Sequence, residues 1–231
     1  MKQISDKSID CIICDPPYGV TNCKWDNVIP LHDMWNEFSR IIKPDGAVVL
    51  FSAEPFTTDV IISNRRNFKY KWYWIKSNKT GAPFAKVQPM RQVEEILVFY
   101  KKHGTYNPQG VHPCMRTRDR KKEKSNIYTI RGTKEYVQAQ TGYPSNVLQF
   151  PKDAHCVHPT QKPLALIEYL IKTYTNEGET VLDPCIGSGT TAVAAVNTGR
   201  HFIGFETDKI YFDAAQNRIR AAQEEGKRYI E

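Results

Sequence analysis

VLDPCIGSGTTAVAA, residues 181–195, gives three local instructions in one short run. Val181 and Leu182 read as a buried strand, and Asp183-Pro184 ends it because proline cannot donate to a ladder. Gly187-Ser188-Gly189-Thr190-Thr191-Ala192 then fits G-x-G-x-x-G/A, and TTAVAAVNT continues as a helix stopped by Gly199. Glycines at such a junction permit the tight turn and let a ligand approach the backbone at a helix N-terminus. The next strand, HFIGFE (201–206), ends on Glu206, 19 residues after Gly187. A carboxylate placed there can accept hydrogen bonds from ribose hydroxyls. Turn and acid together point to a nucleoside-bearing ligand.

Outward from this unit the same alternation recurs. KPLALIEYLIKTY (162–174) precedes it with an apolar face of Leu164, Ile167, Leu170, Ile171 and Tyr174, and a last helix starts near Asp208. At the other end IDCIIC (9–14) and AVVLFS (47–52) read as strands. Leu31 to Ile42 lie between them at helical spacing, and Pro44-Asp45-Gly46 is expected to stop that helix. A helix near 55–64 and strands YKWYWIK (70–76) and EEILVFYK (94–101) follow. Periodicity is lost from 102 to 157, which reads as an insert. Strands alternating with helices imply an α/β fold, a doubly wound and mostly parallel sheet. Its halves are 1–101 and 158–231, separated by the insert. Ligands in such sheets bind beyond the carboxyl ends of the strands. CDPPYG (14–19) sits at one such end and the glycine turn at another, so they should share a crevice.

The 231 residues are 40% hydrophobic and 25% charged, an ordinary globular composition for one sizeable domain with an insert. No apolar run reaches membrane-span length, and the polar start MKQISDKSID lacks a signal-peptide core. Both favour a cytoplasmic address and no membrane. Six cysteines in such a chain are expected as free thiols. The formal charge of +7 favours a polyanionic partner, and it concentrates in RTRDRKKEK (116–124). Arg116, Arg118, Arg120, Lys121, Lys122 and Lys124 are the candidate phosphate contacts.

In CDPPYG an acid, two stiff prolines and a flat ring follow a buried strand directly. A turn would explain them, but so would a clamp for something planar and polar: a carboxylate from Asp15, a carbonyl from Pro16, rigidity from Pro17 and a ring from Tyr18.

Three segments taken together resemble the DNA amino-methyltransferases, in the circularly permuted branch where the catalytic motif precedes the cofactor motif. They are DPPY (15–18), HPTQKPLALIEYLI (158–171) with DPCIGSGTT (183–191), and GFETDKIYFDAAQNR (204–218). The resemblance covers most of the chain outside 102–150. It implies a Rossmann-like fold, S-adenosylmethionine as methyl donor, and an exocyclic base nitrogen in double-stranded DNA as acceptor. Asp15, Pro16, Pro17 and Tyr18 would be the catalytic tetrad. Asp183, Pro184, Cys185, Gly187, Ser188, Gly189, Thr190 and Thr191 would surround the donor's methionine portion. His158, Thr160 and Lys162 would support its carboxylate end, with Glu206 at the ribose. The insert stands where the family has its target-recognition region. With about six phosphate contacts, affinity should fall about a thousandfold between 50 and 200 mM salt.

Adenine N6 is the expected target; cytosine N4 is the alternative, although that branch more often has Ser where Asp15 stands. The resemblance admits a homodimer and a cognate restriction endonuclease as partners. Two departures are visible. Cys185 replaces the family's usual phenylalanine, which should loosen packing against the donor. Only fourteen residues precede Asp15, where relatives commonly carry a Gly-Asp segment that contacts the donor's adenine. A catalytically weak DNA-binding relative is therefore a further alternative.

No metal is expected. Cys11 and Cys14, three apart on a strand, point to opposite faces. His112, Cys114, His155, Cys156 and His158 match no strong zinc spacing. Tyr70, Trp72 and Trp74 alternate along one strand face and are expected in the core. A carbon-5 cytosine mechanism needs a Pro-Cys nucleophile, and Pro113-Cys114 and Pro184-Cys185 both sit in the wrong places for one.

Overall fold

The computed structural model describes residues 1–19, 26–118, 136–154, 156–158 and 160–228. Two compact units emerge: Met1–Asn107 with Asn146–Glu231, and Pro108–Ser145.

The larger unit is a seven-stranded sheet. Its strands are β1 (Ile9–Cys14), β2 (Ile42–Ser52), β3 (Phe68–Thr80), β4 (Arg91–Phe99), β7 (Val147–Gln149), β8 (Thr180–Asp183) and β9 (His201–Gly204). Their spatial order is β7-β3-β4-β2-β1-β8-β9, and β4 alone runs against the rest. From β1 the chain passes through α1 (Leu31–Ile41) to β2 on one side. From β8 it passes through α4 (Thr190–Asn197) to β9 on the other. The winding reverses between the neighbours β1 and β8, and a crevice opens at such a switch point beyond the strand ends. DPPY and the glycine turn follow those two strands.

Period-two alternation divides the core between the sheet's faces. Cys11, Ile13, Val49, Phe51, Trp72, Trp74, Ile96 and Val98 face α3 (Leu164–Tyr174), where Leu166, Ile167, Leu170 and Ile171 are buried. Ile12, Cys14, Val48, Leu50, Leu97 and Leu182 face α1 and α2 (Phe56–Ser63) through Met34, Trp35, Phe38, Phe56 and Val60. The two cysteines thus lie in opposite layers, and both are free. The aromatic stripe is core: the Trp72 indole N–H donates to the Tyr174 hydroxyl at 2.6 Å and that of Trp74 to the Phe150 carbonyl at 3.0 Å. Each polar edge thereby gains a partner as its ring is buried. Helix α5 (Lys209–Arg228) packs Ile219 and Ala222 on Ala192 and Val193 of α4.

Two expectations need correction. Pro44-Asp45-Gly46 does not follow a helix as a loop; it lies inside β2. Ile9 pairs with Ile42 and Cys11 with Ala47, so residues 43–46 bulge out opposite Asp10. A bulge is a place where a strand accommodates proline and glycine. The Asp10 carboxylate accepts from Lys43 Nζ at 2.5 Å and from the Thr180 N–H at 2.9 Å, tying the bulge to β8. Second, the insert is narrower than 102–157. Val147–Gln149 pairs in parallel with Tyr73–Ile75 and buries Leu148, because β3 has an open edge to fill. Pro108–Ser145 holds an antiparallel ribbon of β5 (His112–Arg118) and β6 (Tyr136–Thr141). Among the described residues no helix is long and apolar enough to cross a membrane.

Candidate active site

β1 ends at Cys14, and the following residues cannot extend it because Pro16 and Pro17 lack N–H donors. Asp15 therefore stands at the sheet's carboxyl edge with its carboxylate bound at both oxygens. The Tyr18 hydroxyl donates to Oδ1 at 2.6 Å, and Lys162 Nζ donates to Oδ2. Tyr18 stacks on Phe56 with ring centroids 5.2 Å apart. One ring face is thus covered, and burial together with the Asp15 charge pushes its hydroxyl pKa well above the ordinary tyrosine value.

Lys162 arrives from just before α3 and is nearly buried. Its Nζ also lies 3.5 Å from Glu94 Oε2 and 5.0 Å from the centre of the Phe51 ring. Lys76 Nζ meets the other Glu94 oxygen at 3.0 Å. Charges therefore alternate Asp15, Lys162, Glu94, Lys76. Burial works against the Lys162 ammonium, but the two carboxylates outweigh it and hold its pKa above the ordinary lysine value. Burial likewise opposes Glu94, and the two lysines override it, keeping the pKa below the carboxylate norm. The resemblance implies Lys162 at the cofactor's carboxylate end; its ammonium sits between Asp15 and Glu94. Glu94 and Lys76 were missed, because charged residues in the core of a hairpin look like solvent-facing positions when only the sequence is read.

Across the switch point, β8 ends at Asp183, which is buried. Its oxygens accept from the Thr191 hydroxyl at 2.6 Å and the Cys185 N–H at 3.0 Å, closing the loop upon itself. Burial dominates its titration, with the nearby Asp15 and Glu206 charges adding to it, and pushes its pKa up to about 7. The two turn glycines have different reasons. Gly187 has φ +52 and a Cβ there would meet nothing within 4 Å, so it faces open space. Gly189 has φ +82 and a Cβ would come within 2.9 Å of Ala215 Cβ, so it is the contact that lets α5 lie on the turn. Arg218 of α5 completes this seam by donating to the Ser188 carbonyl at 2.7 Å and to the Thr190 hydroxyl at 3.1 Å.

HPTQKP connects the halves. The Gln161 carbonyl accepts from the Val157 N–H at 3.2 Å and the Ser188 hydroxyl at 3.1 Å, while its amide donates to Asp153 at 3.1 Å. Asp153 in turn accepts from the Leu164 N–H at the start of α3. The His158 ring meets Tyr211 edge-on at 4.1 Å, and its Nδ1 accepts from the Thr160 N–H at 3.2 Å. Gln161, Asp153 and Arg218 are positioning residues that the motif hid behind its more chemical neighbours.

Asp15, His158, Thr160, Lys162, Asp183, Cys185, Ser188, Thr190 and Thr191 line one cleft of about 400 Å³, its open mouth included. Glu206 is not in that lining. It stands two residues past Gly204, which pairs with Asp183, and its Oε1 accepts from the N–H groups of Thr207 and Asp208, both at 2.8 Å. A carboxylate has lone pairs beyond these, so ribose hydroxyls can bind there. Pro16 is buried, and Pro17 and Pro184 are half-buried. Arg116 is exposed on β5, and Arg118 ends that strand; Arg120, Lys121, Lys122 and Lys124 lie outside the described residues. Among the described residues no group of histidine, cysteine or carboxylate side chains could hold a metal ion.

The chain is similar to known proteins over most of its length. A family model described as DNA methylase matches residues 9–217. Type II methyltransferase M.HpaI of Haemophilus parainfluenzae is 29% identical over 242 residues, covering 95% of this chain and 70% of its own. DNA adenine methyltransferase YhdJ of Escherichia coli K12 is 27% identical, covering 96% and 80%. The crystal structure of the M1.HpyAVI–SAM complex superposes with a TM-score of 0.62 at 27% identity, over 91% of this chain and 88% of that one. The cytosine-N4-specific PvuII DNA methyltransferase has a TM-score of 0.68 over 94% and 81%; at 19% identity it speaks for the fold alone. This chain belongs to the DNA methylase family, the amino-methyltransferases of DNA.

Proposed function

We propose that the protein transfers a methyl group from S-adenosylmethionine to the N6 amine of a flipped-out adenine in double-stranded DNA. The observation that carries this reading is the meeting of Asp15 and the glycine loop in one cleft at the switch point. The residues present fit the donor: Gly187 faces open space, the first turn of α4 supplies backbone N–H groups, and Glu206 keeps lone pairs for a ribose. When bound, S-adenosylmethionine supplies an electrophilic methyl group on a positively charged sulfur.

The chain's own residues address the acceptor. An adenine amine is a weak nucleophile because its lone pair is delocalised into the ring. The Asp15 carboxylate and the Pro16 carbonyl accept its two N–H bonds and draw the nitrogen toward tetrahedral geometry. Such acceptors cost nothing to reorganise at the moment of reaction if they are already fixed. Lys162 and Tyr18 fix Asp15, and the prolines fix the backbone. The acid at the first tetrad position and the relative named as a DNA adenine methyltransferase both favour adenine over cytosine.

The target-recognition role belongs in this reading to the smaller unit, with Arg116 and the basic run that follows on phosphates. A second copy of the chain, a cognate restriction endonuclease and a cytoplasmic setting are parts of the same proposal, and a relative named as a type II methyltransferase is in keeping with the endonuclease. The test is transfer of labelled methyl groups to mixed-sequence duplex DNA. Wild type should incorporate label, and Asp15→Ala should lose it while still binding the donor. Undiminished transfer by Asp15→Ala would contradict the proposal.

A further inference from the structure

Strand β2 stops at Ser52, opposite Glu95, and β7 stops at Gln149, opposite Ile75. Beyond that level β3 and β4 continue alone as a two-stranded ribbon to the pair Thr80 and Arg91. Between the pairs Ile75–Val93 and Thr80–Arg91 β3 bulges, five steps against two on β4, so the paired ribbon reaches about 7 Å past its neighbours before its turn. Because β3 runs parallel to β1, the ribbon rises from the same edge of the sheet as Asp15.

From Ser77 to Val93 there is no acidic residue, while Lys79, Lys86 and Arg91 are exposed. Phe84 is 56% and Val87 83% exposed, large apolar side chains standing in water. The tip is also ordered. Gly81 turns the chain at φ +92, a 3-10 turn covers Ala82–Phe84, and the Val87 and Gln88 N–H groups both donate to the Phe84 carbonyl at 3.0 Å. Its root is joined to the catalytic carboxylate by the chain Lys76, Glu94, Lys162, Asp15.

We propose that this ribbon tip, residues 77–91, is a contact element for duplex DNA. Lys79, Lys86 and Arg91 neutralise phosphates, and Phe84 with Val87 presses on the bases beside the extruded one. The proposal rests on the functional reading above. A base can reach Asp15 only if the duplex lies against the carboxyl edge, and a ribbon and turn rising from that edge then meet it. DNA grooves admit two-stranded ribbons. Apolar wedges that unstack a base step are a general device for distorting a duplex, and cations with no acid among them suit its backbone.

The test uses the full chain and a 30-base-pair duplex, with affinity measured against salt concentration. Each phosphate contact contributes about 0.9 to the slope of log affinity against log salt. The Lys79→Ala/Lys86→Ala/Arg91→Ala variant should be shallower than wild type by about two to three, and Lys86→Glu alone should be shallower by at least one. Phe84→Ala/Val87→Ala should keep the slope but slow methylation of duplex tenfold or more. A mismatch opposite the target adenine, which lowers the cost of extrusion, should restore that rate. Donor binding by each variant shows that the cleft is intact. A wild-type slope retained by both cation variants overturns the inference and leaves the functional reading standing. So does loss of self-association in sedimentation with DNA affinity unchanged, which assigns the tip to a second copy. A wild-type chain with no affinity for duplex overturns both.

Discussion

Lys162 sits between two carboxylates, and removing its charge would leave Asp15 without a counter-ion and Glu94 with Lys76 alone. Breaking a buried pair from one side costs about 3–5 kcal/mol. Lys162→Met should lose about that much in urea unfolding, and adding Glu94→Gln should recover part of it, since the repulsion between the two carboxylates is then gone. Additive losses in that cycle would show that the three groups do not act together. Asp183 gives a pH signature of the opposite kind. Its pKa is about 7 in the folded chain against an ordinary 3.8. Between those values the folded chain keeps a proton that the unfolded chain has released, so stability falls as pH rises through that window and is flat above it. The difference corresponds to about 4 kcal/mol. Asp183→Asn, measured by unfolding from pH 4 to 8, should remove the decline. Below pH 4 the slope should reverse, because Glu94 with its lowered pKa loses its contribution as it protonates.

Single elements explain where pattern reading worked. The unit β8, glycine turn, α4 was legible because apolar run, αL glycines and helix are all local instructions. Gly187 and Gly189 look alike in sequence, yet only Gly189 touches another element. Gly189→Ala should therefore cost more stability than Gly187→Ala, by about 1–3 kcal/mol for the overpacked contact with Ala215. Gly187→Ala should show only the left-handed backbone cost of about 1–2 kcal/mol, with weaker donor binding. Equal losses in thermal unfolding would mean that the seam with α5 yields freely. Pro44-Asp45-Gly46 misled because a bulge depends on the partner strand, here Asp10 of β1. Val147–Gln149 was invisible because three residues carry no period; only the open edge of β3 makes them a strand. Lys162 stood out within HPTQKP, but its ion pairs with Asp15 and Glu94 did not, since those partners come from distant parts of the sequence.

At the scale of the molecule, all seven strands of the main sheet belong to the larger unit, and Pro108–Ser145 contributes none of them. Replacing 108–145 by a short Gly/Ser linker should leave the unfolding temperature and donor binding near wild type, because loop closure changes by only about 0.6 kcal/mol per doubling of length. Site-specific methylation should be lost. Collapse of donor binding in the same variant would show that the smaller unit is needed to build the cleft. The fold and the shared cleft followed from strand ends, whereas the charge chain through Glu94 and the ribbon beyond it needed three-dimensional register. Activation of an adenine amine by Asp15 is tested most directly by digesting methylated DNA to nucleosides and weighing the product, for wild type beside Asp15→Ala. N6-methyladenine from wild type and none from the variant is the expected result; N4-methylcytosine, or no product from a chain that binds both donor and DNA, would contradict it.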